Sequence, residues 1–263
     1  MFHQLEITTR CNFACWYCAG RAMPQQDMDW DSFRQIVDGI AEPGSTISLQ
    51  GEGEPSLHPR FWDMVRYVRT KGHVPYTILN GSRINATLIA RHFLTVGISI
   101  DTLDPAQAEK IGRHNLPKVL TNLQALLQVM VPKRIVIMTV DMGQPLDALR
   151  AWVQKTGFAQ HVVQALMRKQ DYVQHYPHMT FQGKRNAAPQ TCRFVSQDVM
   201  RFYTWKGETL PCCFIKDTQG IVSIAALRSR LHAGDVPVGC AGCGELKAVE
   251  VKPVKFHFLE KMS

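Results

Sequence analysis

Short apolar runs suited to strands alternate with amphipathic runs suited to helices through residues 1–166, and this alternation narrows the folds open to the chain more than any other feature. Strands are expected at residues 2–8 (FHQLEIT), 46–50, 74–79, 96–100, 134–140 and 162–166. Helices are expected at 29–40, 59–70, 84–93, 116–131 and 146–155, where apolar residues such as Trp30, Phe33, Val37 and Ile40 return every three or four positions. Strands separated by helices cannot pair as hairpins. Each connection crosses over, which aligns the strands in parallel. Six such units fall two short of a closed eight-stranded barrel.

The unusual residues gather where strands end. A cysteine loop follows the first strand, Gly51-Glu52-Gly53-Glu54-Pro55 the second and Asn80-Gly81 the third, while Ser99 and Asp101 close the fourth. Parallel barrels collect their chemistry at the C-terminal ends of strands, so these four segments are expected on one rim. Glycine, proline and Asn-Gly also mark ordinary turns. The cysteines therefore carry the chemical argument.

Cys11, Cys15 and Cys18 stand at CxxxCxxC spacing in CNFACWYC. Three thiolates on a four-iron cube leave one iron open for chemistry. Zinc prefers four closed ligands and would need a fourth from elsewhere. A disulfide is disfavoured, because residues 1–10 hold no apolar run suited to a signal peptide and a reducing, cytoplasmic setting is expected. With the aromatic Tyr17 before the third cysteine, the motif resembles the signature of the radical S-adenosylmethionine (radical SAM) enzymes. The resemblance implies an open partial barrel of six βα units over residues 1–166. It also implies that the amino and carboxylate groups of SAM chelate the open iron. One electron then yields methionine and a 5′-deoxyadenosyl radical that takes a hydrogen atom from substrate. Further roles follow from it. Gly53-Glu54-Pro55 matches the end of a GGEP-like segment that meets the methionine amino group, with Glu52 where the family usually has glycine. Asn80 belongs to a cofactor-contacting loop. Ser99, Asp101 and Arg113 are similar to the strand-four serine and following arginine that reach the ribose and carboxylate of SAM.

Five further cysteines, Cys192, Cys212, Cys213, Cys240 and Cys243, stand apart from the first three, and two metal centres account for that grouping better than scattered core residues do. Residues 167–190 lose the βα rhythm and read as a connecting segment. Within it Arg168, Lys169, Tyr172, His175 and His178 are candidate substrate contacts, beside the plainer reading of a solvated linker. In residues 191–263 the arms Met200–Trp205 and Glu208–Pro211 flank Lys206-Gly207 as a hairpin, and a helix is expected at about 224–231. The run from Cys192 through Gly207 to Cys212, followed by Cys240-Ala-Gly-Cys243, resembles the SPASM and Twitch extensions of the same family, the shorter Twitch type more closely. That likeness implies an auxiliary [4Fe-4S] cluster on Cys192, Cys212, Cys240 and Cys243, with Cys213 spare. Four cysteines also suit tetrahedral zinc. The expected architecture is α/β, a partial (β/α)6 TIM-like barrel with a small C-terminal cysteine-rich α+β domain.

A net charge of +8 leaves room for an anionic substrate or an acidic electron donor of the flavodoxin or ferredoxin type. No dense basic run or aromatic-interleaved basic motif points to nucleic acid, and no apolar stretch is long enough for a membrane span. A fully ligated second cluster cannot bind SAM, which leaves it electron transfer or the placement of substrate. Hydrogen abstraction from a carbinol carbon, followed by loss of a proton and an electron, gives a ketone. This is the reaction implied by resemblance to the Twitch-type dehydrogenases that oxidise aminocyclitols, so the expected substrate is a small polar metabolite such as a sugar or cyclitol. The rival expectation is radical modification of a peptide or protein side chain, as in peptide natural products or sulfatase maturation. The first strand starts at about residue 2, leaving no leader-binding segment ahead of it, and on that ground a small molecule is favoured. A non-catalytic iron–sulfur or RNA-binding protein is the third possibility. No residue stands out as the acceptor of the substrate proton.

Overall fold

The computed structural model describes residues 1–173, 188–197 and 199–249. The first part of the chain runs β1 (Phe2–Leu5), α1 (Trp30–Asp38), β2 (Thr46–Leu49), α2 (Phe61–Thr70), β3 (Val74–Tyr76), β4 (Ile78–Leu79) and α3 (Ala86–His92). It continues with β5 (Val96–Ser99), α4 (Pro105–Ile111), α5 (Leu116–Leu127), β6 (Ile135–Asp141), α6 (Asp147–Thr156) and β7 (Gln160–Ala165). Side-chain caps set where several helices begin. Asp29 accepts from the amides of Asp31 and Ser32, and Asp104 from those of Ala106 and Gln107 ahead of Pro105. Asn85 and Asn115 do the same for α3 and α5. Each such cap is worth about 1 kcal/mol. The seven-residue α4 is too short to show a helical period, and the sequence pattern did not disclose it.

β1, β2 and β3 pair in parallel, as do β4, β5, β6 and β7. The single strand expected at 74–79 is interrupted at Thr77, so that β3 pairs with β2 and β4 with β5. Pro75 has no N–H for the ladder, which weakens a continuous run. The buried Thr77 keeps the wall joined: its Oγ1 donates to the Leu49 carbonyl at 2.8 Å and its own carbonyl accepts from the Gly97 amide at 2.9 Å. The result is a curved parallel wall of six strand positions, compatible with a partial TIM-like barrel. Phe33, Ile47, Leu49, Met64, Ile98 and Ile137 belong to its core and are almost fully buried. Each such side chain contributes about 1.5–3 kcal/mol of hydrophobic stabilisation.

Beyond the wall lie α7 (Gln170–Val173), β8 (Gln190–Cys192), α8 (Arg193–Ser196), β9 (Met200–Tyr203), β10 (Thr209–Leu210), α9 (Ile224–His232) and β11 (Leu246–Ala248). β9 and β10 form the expected hairpin, though with shorter arms. β9 also pairs in parallel with β1, Phe2 opposite Met200 through Leu5 opposite Tyr203, which no local pattern announces. The cysteine-rich segment is thus sewn to the barrel's first strand. It keeps a small core of its own, with Phe194, Phe202, Ile215, Leu227 and Leu231, against which Phe2 also packs. Among the described residues no helix is long and apolar enough to cross a membrane.

Candidate functional site

The loop from Arg10 to Cys18 is fastened at its root and at its tip. The Arg10 guanidinium pairs with Asp27 at 2.7 Å and donates to the Leu57 carbonyl at 3.1 Å. Farther along, the Ala14 amide donates to the Gly112 carbonyl at 2.8 Å and the Trp16 amide to that of Ile111 at 3.0 Å, so the loop rests on the end of α4. Gly112 has φ +92°, and a Cβ there would collide with the Ala14 backbone. Only glycine permits that approach. On the opposite side Gly53 presses against Thr8 and Arg10, where a Cβ would lie 2.5 Å from the Thr8 carbonyl oxygen.

Cys15 is buried and Cys11 and Cys18 are half-buried. Burial raises all three thiols above their ordinary value, Cys18 most strongly because the Glu52 carboxylate also faces it. Soft sulfur donors whose charged form is this poorly solvated suit a metal cluster, whose positive charge stabilises the thiolates that water does not reach. The Asn80 side-chain amide lies 3.9 Å from Cys11 Sγ and donates to Asn12 at 3.0 Å.

The rim residues converge beside this loop. Asn80, Ser99, Asp101 and Arg113 line one small cavity together with Phe13. Within it Asp101, whose side chain is fully buried, pairs with Arg113 and accepts the Tyr17 hydroxyl at 2.6 Å. Arg113 donates in turn to that hydroxyl at 2.7 Å and to the Ser99 carbonyl at 3.2 Å. Burial holds the Tyr17 hydroxyl well above its usual range. The second carboxylate oxygen of Asp101 accepts the Val140 amide at 2.8 Å, which ties the group to β6. Glu54 is also buried; it accepts from the Ser56 hydroxyl and from the Asn80 amide, both at 2.6 Å, so one carboxylate links the loops after β2 and β4. Burial raises its carboxyl above the ordinary value.

The C-terminal cysteines have different surroundings. Cys192, Cys212, Cys240 and Cys243 line one cavity, among Phe194, Ile215, Leu227 and Leu231. Burial pushes Cys240 up to about 12 and Cys212 higher still. The four thiols share this lining. Their number and softness fit a cube-shaped cluster, which spreads its ligands around a volume. Cys213 is not in this lining; burial raises its thiol, and Lys216, Glu52 and Lys169 are among the charges that act on it.

Of the candidate substrate contacts, Arg168 is exposed, whereas Lys169 and Tyr172 are turned inward. Lys169 reaches the cavity lining, donates to the Phe214 carbonyl and pairs with Asp171 at 3.2 Å. Tyr172 packs with Ala19 near Tyr17. A surface linker would have left both in water, but Lys169 turns into the cysteine cavity and Tyr172 against Ala19. His175 and His178 lie outside the described residues. Sequence reasoning missed Lys216, Glu6 and Asp171. All three are buried polar side chains, and they sit in no recognisable motif. The one available signal was Glu52, which broke an expected glycine pattern.

Residues 5–154 match the Radical SAM superfamily. The chain is similar to an S-adenosylmethionine-dependent nucleotide dehydratase of Selenomonas ruminantium, 33% identical over 118 residues, 42% of this chain and 43% of the relative. It is also similar to a PqqA peptide cyclase of Xanthomonas oryzae pv. oryzae, 31% identical over 123 residues, 43% of this chain and 33% of the relative. The matched stretch spans less than half the length of either relative. Among solved structures, Streptococcus suis SuiB bound to S-adenosylmethionine superposes with a TM-score of 0.61 at 14% identity, over 84% of this chain and 61% of SuiB.

Proposed function

The chain belongs to the radical SAM superfamily, and from that premise we propose that it is an oxidoreductase with two iron–sulfur centres that removes two electrons from a small polar metabolite. In this reading Cys11, Cys15 and Cys18 hold the SAM-binding [4Fe-4S] cluster. Tyr17, Gly53, Glu54, Asn80, Ser99, Asp101 and Arg113 form the surroundings of SAM. Cys192, Cys212, Cys240 and Cys243 hold an auxiliary [4Fe-4S] cluster, and Cys213 is left out of it. When bound, these groups supply one-electron cleavage of SAM to methionine and a 5′-deoxyadenosyl radical that takes a substrate hydrogen atom, and an acceptor for the electron that leaves the substrate with its proton.

The observation that carries the reading is the convergence of four cysteines, spread over 52 residues of sequence, on one apolar cavity. Apolar walls exclude water from a centre whose task is to take an electron. On the barrel side, the bonds from Asp101 to Tyr17 and Arg113 support the reading by linking residues assigned to the surroundings of SAM. The net charge of +8 suits an anionic substrate and an acidic flavodoxin- or ferredoxin-type donor in the cytoplasm. The working division of the chain is a barrel at 1–166, a connection at 167–190 and an auxiliary domain at 191–263. The likeness to a nucleotide dehydratase supports a small-molecule substrate. A second reading, modification of a peptide side chain, is favoured by the likeness to a peptide cyclase.

Two measurements test the proposal. Reconstituted protein should hold about eight irons per chain, and about four would remove the auxiliary cluster. Anaerobic turnover with SAM, dithionite and substrates deuterated at single carbons should then place deuterium in 5′-deoxyadenosine. Transfer from a carbinol carbon supports the dehydrogenase. Transfer only from a peptide supports the second reading, and no 5′-deoxyadenosine from any substrate overturns both.

A further inference from the structure

The two cysteine regions meet through one buried ion pair. Glu52, on the loop after β2, lies with Oε1 2.5 Å from Lys216 Nζ and Oε2 3.3 Å from Cys18 Sγ. Lys216 comes from the cysteine-rich segment, three residues after Cys213, and donates to the Cys213 carbonyl at 2.8 Å. Its ammonium lies 5.7 Å from the ring centroids of both Tyr172 and Phe202. The two side chains are 7% and 17% exposed, so solvent screens them little. Backbone bonds fix both ends: the Glu52 amide donates to Glu6 at 3.0 Å, and the Lys216 amide to Asp171 at 2.8 Å.

This arrangement needs a reason. A cysteine that ligates iron does so as a thiolate, and a carboxylate 3.3 Å from its sulfur adds a second negative charge at a buried site. Glycine, which the resemblance leads one to expect at position 52, would bring no charge. Here the charge is present and a cation from the other region balances it. Net charge, hydrogen bonds to sulfur and solvent exposure are the protein's means of setting a cluster's potential.

We propose that Lys216 is a positioning residue for the centre at Cys11, Cys15 and Cys18. By neutralising Glu52 beside Cys18, it sets how readily that centre accepts an electron. Because Lys216 belongs to the cysteine-rich segment, the electron affinity of the first centre depends on that segment being docked. The inference rests on the assignment of a SAM-binding cluster to those three cysteines.

The test is a redox titration of reconstituted protein, following the first cluster by the change that SAM makes in its EPR signal. Lys216→Met leaves Glu52 unpaired and should lower the reduction equilibrium about tenfold, ~59 mV for one electron. Glu52→Gln leaves the lysine unpaired and should raise it by a similar factor. The double variant should return close to the parent, and Lys216→Arg should stay there. Opposite shifts that cancel are the mark of charge balance; a purely structural role would move both single variants the same way. If Lys216→Met fails to retain iron, the near-isosteric Glu52→Gln and the double variant still decide the matter. Single variants that do not shift, or a double variant displaced as far as either single one, overturn the inference alone. A parent with no SAM-sensitive signal overturns the cluster assignment, and the inference with it.

Discussion

Around Cys11, Cys15 and Cys18 stand Asn80, Glu52, Asp101 and Arg113, whereas Phe194, Ile215, Leu227 and Leu231 wall the cavity of Cys192, Cys212, Cys240 and Cys243. The first region is held by polar bonds: Arg10 to Asp27, Glu54 to the Asn80 amide, and Asp101 to Arg113. The second has an apolar lining with Lys169 as its charged member, and its thiols are raised by burial. Such a cavity is suited to a group that fills it and carries its charge inside. One region is held by polar pairs, and the other is walled by apolar side chains.

Iron removal should expose that contrast most strongly. In a small core, metal binding is part of the folding free energy. Chelation is therefore expected to strip hydrogen-exchange protection from α8, α9 and β8 while β2 and β6 keep theirs. Equal loss in both regions would break the comparison. Asp101→Ala comes next in size. It leaves the Arg113 guanidinium, 12% exposed, without its carboxylate, and should cost about 3–5 kcal/mol in urea unfolding of the apoprotein. A cost below 1 kcal/mol would mean that the first region is not held by its polar bonds.

Gly112→Ala should cost about 1–3 kcal/mol from its left-handed backbone alone, and more from the collision with Ala14. On the proposed assignment of two clusters, its iron content should fall by about half, with the first loop losing its cluster and the second region keeping its own.

A shallower effect is expected from His58. This buried ring takes the Arg60 amide on Nδ1 and donates from Nε2 to the Met28 carbonyl, so the fold holds it neutral. Burial lowers its pKa from the ordinary 6.5. The unfolded chain therefore takes up the proton first. Stability from this group is complete above pH 6.5 and is lost as pH falls through the lower native value. Denaturant titrations of the parent and His58→Gln between pH 7 and pH 5 should show the steeper decline in the parent, and parallel curves would remove the effect. Smallest of all, Cys213→Ser should leave iron near about eight per chain, whereas Cys212→Ser should lower it to about four. The reverse result would exchange the two ligands.

Much of the barrel was legible because its signals are local. Periodicity marked the strands and most helices, and the loops at their ends identified the rim. The break at Thr77 was not legible, since Val74–Leu79 reads as one strand until its two halves are seen to serve different neighbours. The hairpin at β9 and β10 was visible from its turn, but its pairing with β1 joins residues some 200 positions apart and leaves no local trace. At the candidate site the cysteines and the rim residues stood out by type and spacing. Lys216 did not, because a lysine in sequence reads as a surface residue and only burial gives it another meaning, and Lys169 stood out only as one of several polar residues in a long connection.

Cysteine spacing and the βα rhythm were sufficient to set the class of fold and the family, since thiolate count and strand period act over a few residues. Folding settled which of two adjacent cysteines faces the apolar cavity, which lysine meets Glu52, and how the cysteine-rich segment is attached to the barrel. Those outcomes depend on burial and on charges brought together from distant parts of the chain, and a buried pair gains its strength only where water has been excluded.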